Sequence, residues 1–425
     1  MSSGWDTGCP APQSTPQKVD FHHIKPEYAA RSLTKALAKG QITPDDRTLI
    51  ESYVGWAAVT RNICQSRFNK LTYHLVKLRR FLGPYRANNI DDIYLGISRL
   101  KTAQVKGHPY AGSTLRDDVS TLKKFYLWLI KKGVSSIPKD EIQEIKAPSA
   151  RTMTKTAAQM LTETEIHDMI KVCTRSIDRA YVAVLYEAAL RVKECGTLTW
   201  DQVSFEKNHV IINVNCKTGR PRHIPLIMAR PYLAAWRADY PLIAEGSAYV
   251  FISEQEKKPL RYKALDKRLR VLARRAGITK RVTPHILRHS RISHLIEQGV
   301  REYSVREIAW GNQATKMLAT YTHIANPHID AELSQLYGIE PENKADDHAL
   351  YPRQCPRCAA INAPTARYCA SCGIPLTREA RVSIDELATE IEAHPVYQRI
   401  MDKVDLMVLT PPARDVDTGA SASKV

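Results

Sequence analysis

The chain has 425 residues, 44% of them hydrophobic and 25% charged, with a formal net charge of +18. It is too long for one ordinary domain and suits two or three. It has no run of about 18 apolar residues that could span a membrane. The opening MSSGWDTGCPAPQSTPQ lacks the basic start and apolar core of a secretory signal, so the expectation is a cytoplasmic protein. An excess of 18 positive charges draws polyanions, and counterion release makes nucleic acid the favoured partner.

Residues 1–28 are polar and proline-bearing and read as a flexible lead. From 29 to 143 the pattern is helical. In TRNICQSRFNKLTYHLVKLRRFL, Phe68, Leu71, Leu75, Leu78 and Leu82 form one stripe, ringed by Arg67, Lys70, Lys77 and Arg80. A second helix, STLRDDVSTLKKFYLWLIKKG, opens at Ser113 or Thr114 and closes at Gly133. The segment reads as a small helical DNA-binding bundle, with Arg67 and Lys70 on its basic face.

A Ser-, Thr- and Lys-rich linker covers 144–162, and Thr162 caps the next helix. Residues 163–340 mix helices with short strands. YVAVLYEAAL is a buried helix, and HVIINV (209–214) and RHIPL (222–226) read as a hairpin around Lys217–Arg220. Helices are expected at about 229–238, 261–276, 285–298, 303–310 and 314–321, with a last one near 327–336. A cysteine module follows at 351–376, then an amphipathic helix at 377–409 and a disordered tail at 410–425. The fold class is mainly α with a small antiparallel β-sheet.

Charge is concentrated in one place. Residues 261–281 hold nine Lys and Arg against one acid, Asp266. A helix of one-signed charge faces an anion, so Arg268, Arg270, Arg274 and Arg275 are candidate contacts to double-stranded DNA.

Attack on a phosphodiester needs cations on the non-bridging oxygens and an acid for the leaving alkoxide. Arginine suits the first task, because it stays charged and donates bidentate hydrogen bonds; lysine suits the second. Arg191 ends a buried helix, where on its own it reads as a residue satisfying free carbonyls. Thr283 and Pro284 start a helix that carries His285 and Arg288 on one face. Each piece is weak alone. Lys217 in isolation is a surface lysine, and Tyr321 is one of 19 tyrosines.

Together, ALRVKE, CKTGRPRHIPL, TPHILRHS and AWGNQATKMLATYTHI resemble the tyrosine recombinases, the phage-integrase family. The likeness covers about three quarters of the chain, and it makes 29–143 similar to that family's core-binding domain. It implies that Arg191 and Arg288 hold the scissile phosphate and that Lys217 protonates the 5′-oxygen. His285 would act as base or hydrogen-bond donor, with Glu194 in support. Tyr321 would attack to form a 3′-phosphotyrosyl link in a DNA-bound homotetramer. Neither ATP nor a catalytic metal is then required, and accessory DNA-bending proteins are candidate partners. One position departs from the common pattern. Nine residues before Tyr321 stands Asn312 in place of His or Trp, and Trp310 lies two residues earlier; either could fill the role. The WGN run looks like that of archaeal integrases, which points to an archaeal mobile element.

Cys355-Pro-Arg-Cys358 and Cys369-Ala-Ser-Cys372 are CxxC pairs ten residues apart. That spacing suits tetrahedral zinc, and four protein ligands leave no open position, so the zinc would be structural. The module is similar to zinc-ribbon tails of archaeal integrases. Two rivals stand beside the recombinase reading: a type IB-like topoisomerase or junction resolver, and a DNA-binding protein with a decayed site.

Overall fold

Caps written into the sequence set where several helices begin. Thr43 and Asp46, Asn89 and Asp92, and Thr162 and Glu165 each form a reciprocal side chain-to-backbone box at a helix start, which satisfies two otherwise orphaned N–H groups per box. The structure is a computed structural model that describes residues 20–105, 107–149, 157–215, 221–311, 314–315, 318, 337 and 349–409. These fall into two compact units. The first runs to Met160 and includes Lys258–Lys267; the second holds Leu161–Lys257, 268–311 and 349–409.

The first unit is a helical bundle of α1 (Tyr28–Ala38), α2 (Pro44–Thr60), α3 (Gln65–Leu78) and α4 (Ile90–Thr102), followed by α5 (Gly112–Lys131) and α6 (Lys139–Glu144). Strands β1 (Gln104–Val105) and β2 (His108–Pro109) pair antiparallel between α4 and α5. Leu71, Leu75, Leu78 and Leu82 are buried along the expected stripe, with Phe68 packed against the core from its edge. Tyr53, Tyr85, Phe125 and Trp128 contact one another with ring centroids 4.8–6.1 Å apart. Such edge and stacked contacts add to the area they bury. Asp118 of α5 is fully buried and binds both His74 and Lys77 of α3. Asp46, also buried, takes the Nε of Arg79 at 2.7 Å and the backbone N–H of Tyr85 at 2.8 Å.

The flexible lead expected for 1–28 needs correction where it is described. Phe21 is buried, and its carbonyl accepts the backbone N–H of Tyr262 at 3.0 Å. Asn69 donates to the carbonyl of Lys25 at 3.0 Å. An apolar side chain and two carbonyls with partners fix this stretch; residues 1–19 lie outside the described residues.

The second unit begins with α7 (Glu163–Lys171), α8 (Ser176–Glu187) and α9 (Val192–Gly196). Strands β3 (Val203–Phe205), β4 (Val210–Asn215) and β5 (Pro221–Leu226) form an antiparallel sheet in that order, with Ile212 opposite Ile224 and Asn215 opposite Pro221. β3 was not expected, because three residues are too few to show alternation. Then come α10 (Ala229–Ala238), α11 (Tyr262–Arg275), α12 (Pro284–Glu297) and α13 (Glu302–Trp310); α11 as far as Lys267 belongs to the first unit. Of the helix expected near 314–321 only 314–315 and 318 are described, and the helix expected near 327–336 and the tail 410–425 lie outside the described residues. α8 is apolar on nearly every side and packs against α7, α10 and α12 at the centre of the unit.

Strands β6 (Arg353–Gln354) and β7 (Ile361–Asn362) belong to the cysteine module. Beyond it, the single helix expected over 377–409 is two: α14 (Arg378–Ala393) and α15 (Pro395–Leu409). Pro395 causes the break. It lacks an N–H and pushes the preceding residue out of helical geometry, and His394 is extended at φ −74° and ψ 129°.

His294 of α12 is buried and shares a 2.7 Å hydrogen bond with the Tyr186 hydroxyl. Burial, with Arg291 nearby, pushes its pKa down to about 4. Its unfolded value is about 6.5. Between those two values the unfolded chain binds a proton that the folded chain does not, so stability falls as pH drops through the window. Taking the protein from pH 7 to pH 5 should cost about 2 kcal/mol through this group. Urea unfolding at the two pH values checks this, and His294→Gln should reduce the difference by about that amount.

Candidate active site and cysteine cluster

α8 ends in a Schellman turn. Leu190 N–H bonds to the carbonyl of Leu185 and Ala189 N–H to that of Tyr186, with Ala189 in the left-handed region at φ 46°. Glycine usually holds this position, because a side chain there adds about 1–2 kcal/mol. The turn brings Arg191 to the head of α9 and frees the Ala189 carbonyl. That carbonyl accepts Nη1 of Arg288 from α12.

Glu194 sits three residues into α9 and reaches back. One carboxylate oxygen accepts Nη1 of Arg191 at 2.7 Å, and the other accepts the Arg191 backbone N–H at 2.8 Å. The second oxygen also takes Nη2 of Arg222 at 2.6 Å. Burial alone would raise the Glu194 carboxyl pKa. The charge of Arg222 and the hydrogen bonds and charge of Arg191 outweigh burial and hold it below the usual range.

Arg222 is fully buried in β5. Its Nη1 bonds to the carbonyls of Ile308 at 2.7 Å and Ala309 at 2.9 Å, in the last turn of α13. The Ala309 carbonyl also accepts Nη2 of Arg288 at 2.6 Å. The C-terminal carbonyls of a helix carry partial negative charge, and here two guanidinium groups meet it. The Arg288 Cζ lies 5.6 Å from the centre of the Trp310 ring.

Three arginines from three elements thus converge on one carboxylate and a few carbonyls. Arg191 remains 40% exposed, so its outer donors can reach a ligand, whereas Arg288 is buried. His285, one turn before Arg288, is exposed, and its ring stands edge-on to His289 with centroids 4.8 Å apart. Lys217, Asn312 and Tyr321 lie outside the described residues.

Sequence reasoning missed Arg222. The signal was present, since alternation in β5 puts Arg222 in phase with Ile224 and Leu226, both buried. Of the expected DNA contacts, Arg270, Arg274 and Arg275 are exposed on α11 and Arg67 is half-buried on α3. Lys70 pairs with Asp117 at 2.6 Å on the surface. Arg268 departs from the expectation of a free cation. It flanks the buried face and pairs with Asp178 of α8 at 2.8 Å.

The sequence from 159 to 328 matches the phage integrase family. The tyrosine recombinase XerC of Lacticaseibacillus casei is 25% identical over 287 residues, spanning 63% of this chain and 92% of that protein. XerA of Pyrococcus furiosus is 27% identical over 231 residues, spanning 53% and 75%.

Residues 159–328 carry a phage integrase family domain, and the chain is similar to tyrosine recombinases over 63% of its length.

Solved structures extend the likeness of fold. A lambda integrase dimer bound to a core site shares 16% identity at a TM-score of 0.51, over 64% of this chain and 94% of that one. The Tn1549 transposon integrase in complex with circular intermediate DNA shares 20% at 0.50, over 67% and 98%. The recombinase fold accounts for the helical bundle, the small sheet and the arginine-bearing helices; α14 and α15 lie beyond the matched segment.

The cysteine module has a geometry of its own. Each CxxC closes a turn of the same kind: Ala359 N–H bonds to the carbonyl of Cys355, and Gly373 N–H to that of Cys369, both at 2.9 Å. Ala359 and Gly373 have φ of 56° and 75°. The four sulfurs lie within 4.8 Å of one another, with 3.5 Å between Cys355 and Cys372 and 3.6 Å between Cys358 and Cys369. A disulfide needs about 2.05 Å, so these are free thiols. A tetrahedron with metal–sulfur bonds of about 2.3 Å has edges of roughly 3.8 Å, which this set fits. The N–H groups of Cys372 and Ser371 help pull the Cys369 thiol down to about 6, whereas burial and the sulfurs of Cys355, Cys358 and Cys369 push the Cys372 thiol up to about 12, so the four thiols share their protons in a crowded set. Tyr232 of α10 bonds to Thr365 at 2.8 Å and ties the module to the recombinase domain.

Replacing Arg222 tests the network. Arg222→Met leaves Glu194 buried with one cation fewer and strips two carbonyls of α13 of their donor. A loss of about 3–5 kcal/mol is expected, measured by chemical denaturation. Glu194→Gln with Arg222→Met should lose less than the sum of the single variants.

Proposed function

We propose that this chain is a site-specific DNA recombinase or integrase of a mobile element, one that cuts and rejoins DNA through a phosphotyrosine link. The observation that carries the reading is the bond from Arg288 to the backbone two residues before Arg191. It puts two guanidinium-bearing segments, distant in sequence, on one support, as a phosphate clamp requires.

In this reading Arg191 and Arg288 hold the non-bridging oxygens of the scissile phosphate. The Tyr321 hydroxyl oxygen attacks phosphorus while the bond to the 5′-oxygen breaks, and Lys217 gives that oxygen its proton. His285 accepts the tyrosine proton or donates to the phosphate. Glu194 and Arg222 do no proton chemistry and keep Arg191 in place. Trp310, already against Arg288, fills the role that His or Trp nine residues before the tyrosine has in the common pattern. The phosphotyrosyl bond keeps the energy of the broken ester, so no ATP and no catalytic metal are needed. Double-stranded DNA is the substrate, held by a homotetramer and by the exposed arginines of α11, with accessory bending proteins as further partners. Cys355, Cys358, Cys369 and Cys372 bind one structural zinc.

The first test incubates the protein with nicked suicide duplexes drawn from DNA flanking its own gene. An SDS-resistant adduct mapped to Tyr321, and absent in Tyr321→Phe, is expected. Tight binding without an adduct across a screen of duplexes would favour a decayed site. Relaxation of any plasmid without sequence preference would favour a topoisomerase.

Metal analysis of the purified chain should find one zinc per chain, lost in Cys369→Ser. Removing it with a strong chelator should raise amide exchange across 351–376, because the segment is too small to build a core without metal. Exchange in α8 and α12 should hold steady.

A further inference from the structure

α14 and α15 lie beyond the segment that matches the integrase family, and both expose apolar stripes. On α14, Ile384, Leu387 and Ile391 are 40%, 54% and 46% exposed; on α15, Val396, Ile400 and Val404 are 51%, 53% and 43% exposed. Spacings of three and four residues align each set on one helix face. Six such side chains in water form a surface that marks an interaction site.

The charges say what covers α14. Arg378, Glu379 and Arg381 stand near its N-terminus and Glu390 and Glu392 near its C-terminus, so the two arginines make the first end net basic and the two C-terminal glutamates make the last net acidic. This order opposes the helix dipole, which favours acids at the start and bases at the end. None of these four groups has an ion-pair partner among the described residues. Antiparallel packing on an identical helix resolves both facts, since each arginine end then meets a glutamate end and the apolar stripes face each other. Such an arrangement is two-fold and self-complementary. DNA is a poor occupant, because residues 378–409 hold seven acids against four bases in a chain of net charge +18.

We infer that α14 forms an antiparallel two-fold interface with α14 of a second copy of this chain, in the absence of DNA. The inference does not depend on the strand-transfer reading.

Sedimentation velocity of the full chain without DNA, over a concentration series, tests it. A reversible monomer–dimer equilibrium is expected. The double variants Arg378→Glu/Arg381→Glu and Glu390→Arg/Glu392→Arg should each weaken the dimer by about tenfold or more. An equimolar mixture of the two should recover it as a heterodimer. All four positions are exposed, so circular dichroism and melting temperature should match the parent protein and separate lost association from lost folding. A monomer at every concentration would overturn the proposal and leave the stripe to another protein. So would a dimer indifferent to both charge reversals, or a mixture that fails to recover.

Discussion

The Ala309 carbonyl accepts two guanidinium groups, one from Arg222 and one from Arg288. The candidate active site depends on this shared acceptor. A strand, the helix bearing the histidine and arginine motif, and the last turn of α13 are fixed to one another there. Glu194 closes the other side by holding Arg222 and Arg191 together. A cluster of arginines would repel itself in a dry interior. It stands because one carboxylate and the partial charges of helix ends are placed among the cations. The same arrangement keeps Arg191 oriented and partly open to solvent while Arg288 is held beneath it.

How much of this was legible depends on the signal each part writes into the chain. Thr162 and Thr283 announce their helices by side chain and spacing, and both cap as expected. The hairpin strands alternate strongly enough to be placed within a residue of their observed ends. β3 is too short to alternate. The break at Pro395 follows from a rule about single residues that a periodicity over thirty residues obscures. Phe21 looked like part of a polar lead because its partner, Tyr262, lies far along the chain.

For the site, residue types and their order were enough to assemble the candidates, while the way they are held was not. The alternation of β5 places Arg222 on the buried face with Ile224 and Leu226, but no local pattern announces the carboxylate and carbonyls it meets there. Arg268 shows the converse. It belongs to an overwhelmingly basic helix, yet its phase along α11 takes it to Asp178 instead of outward. Burial disfavours its charge and Asp178 offsets only part of that, leaving its pKa lowered. Clustered charge predicts an electrostatic field well and the direction of any one side chain poorly.

The buried carboxylate of Asp118 has a mechanical consequence. It grips His74 and Lys77 on α3 from α5, with all three side chains nearly sealed from water. Sliding α3 along α5 by one turn would strand a carboxylate, an ammonium or both in an apolar interior. The two helices therefore behave as one strut with a single permitted register. Bending of the bundle against a load must be taken up elsewhere, at connections such as the β1–β2 hairpin, where every described residue is exposed.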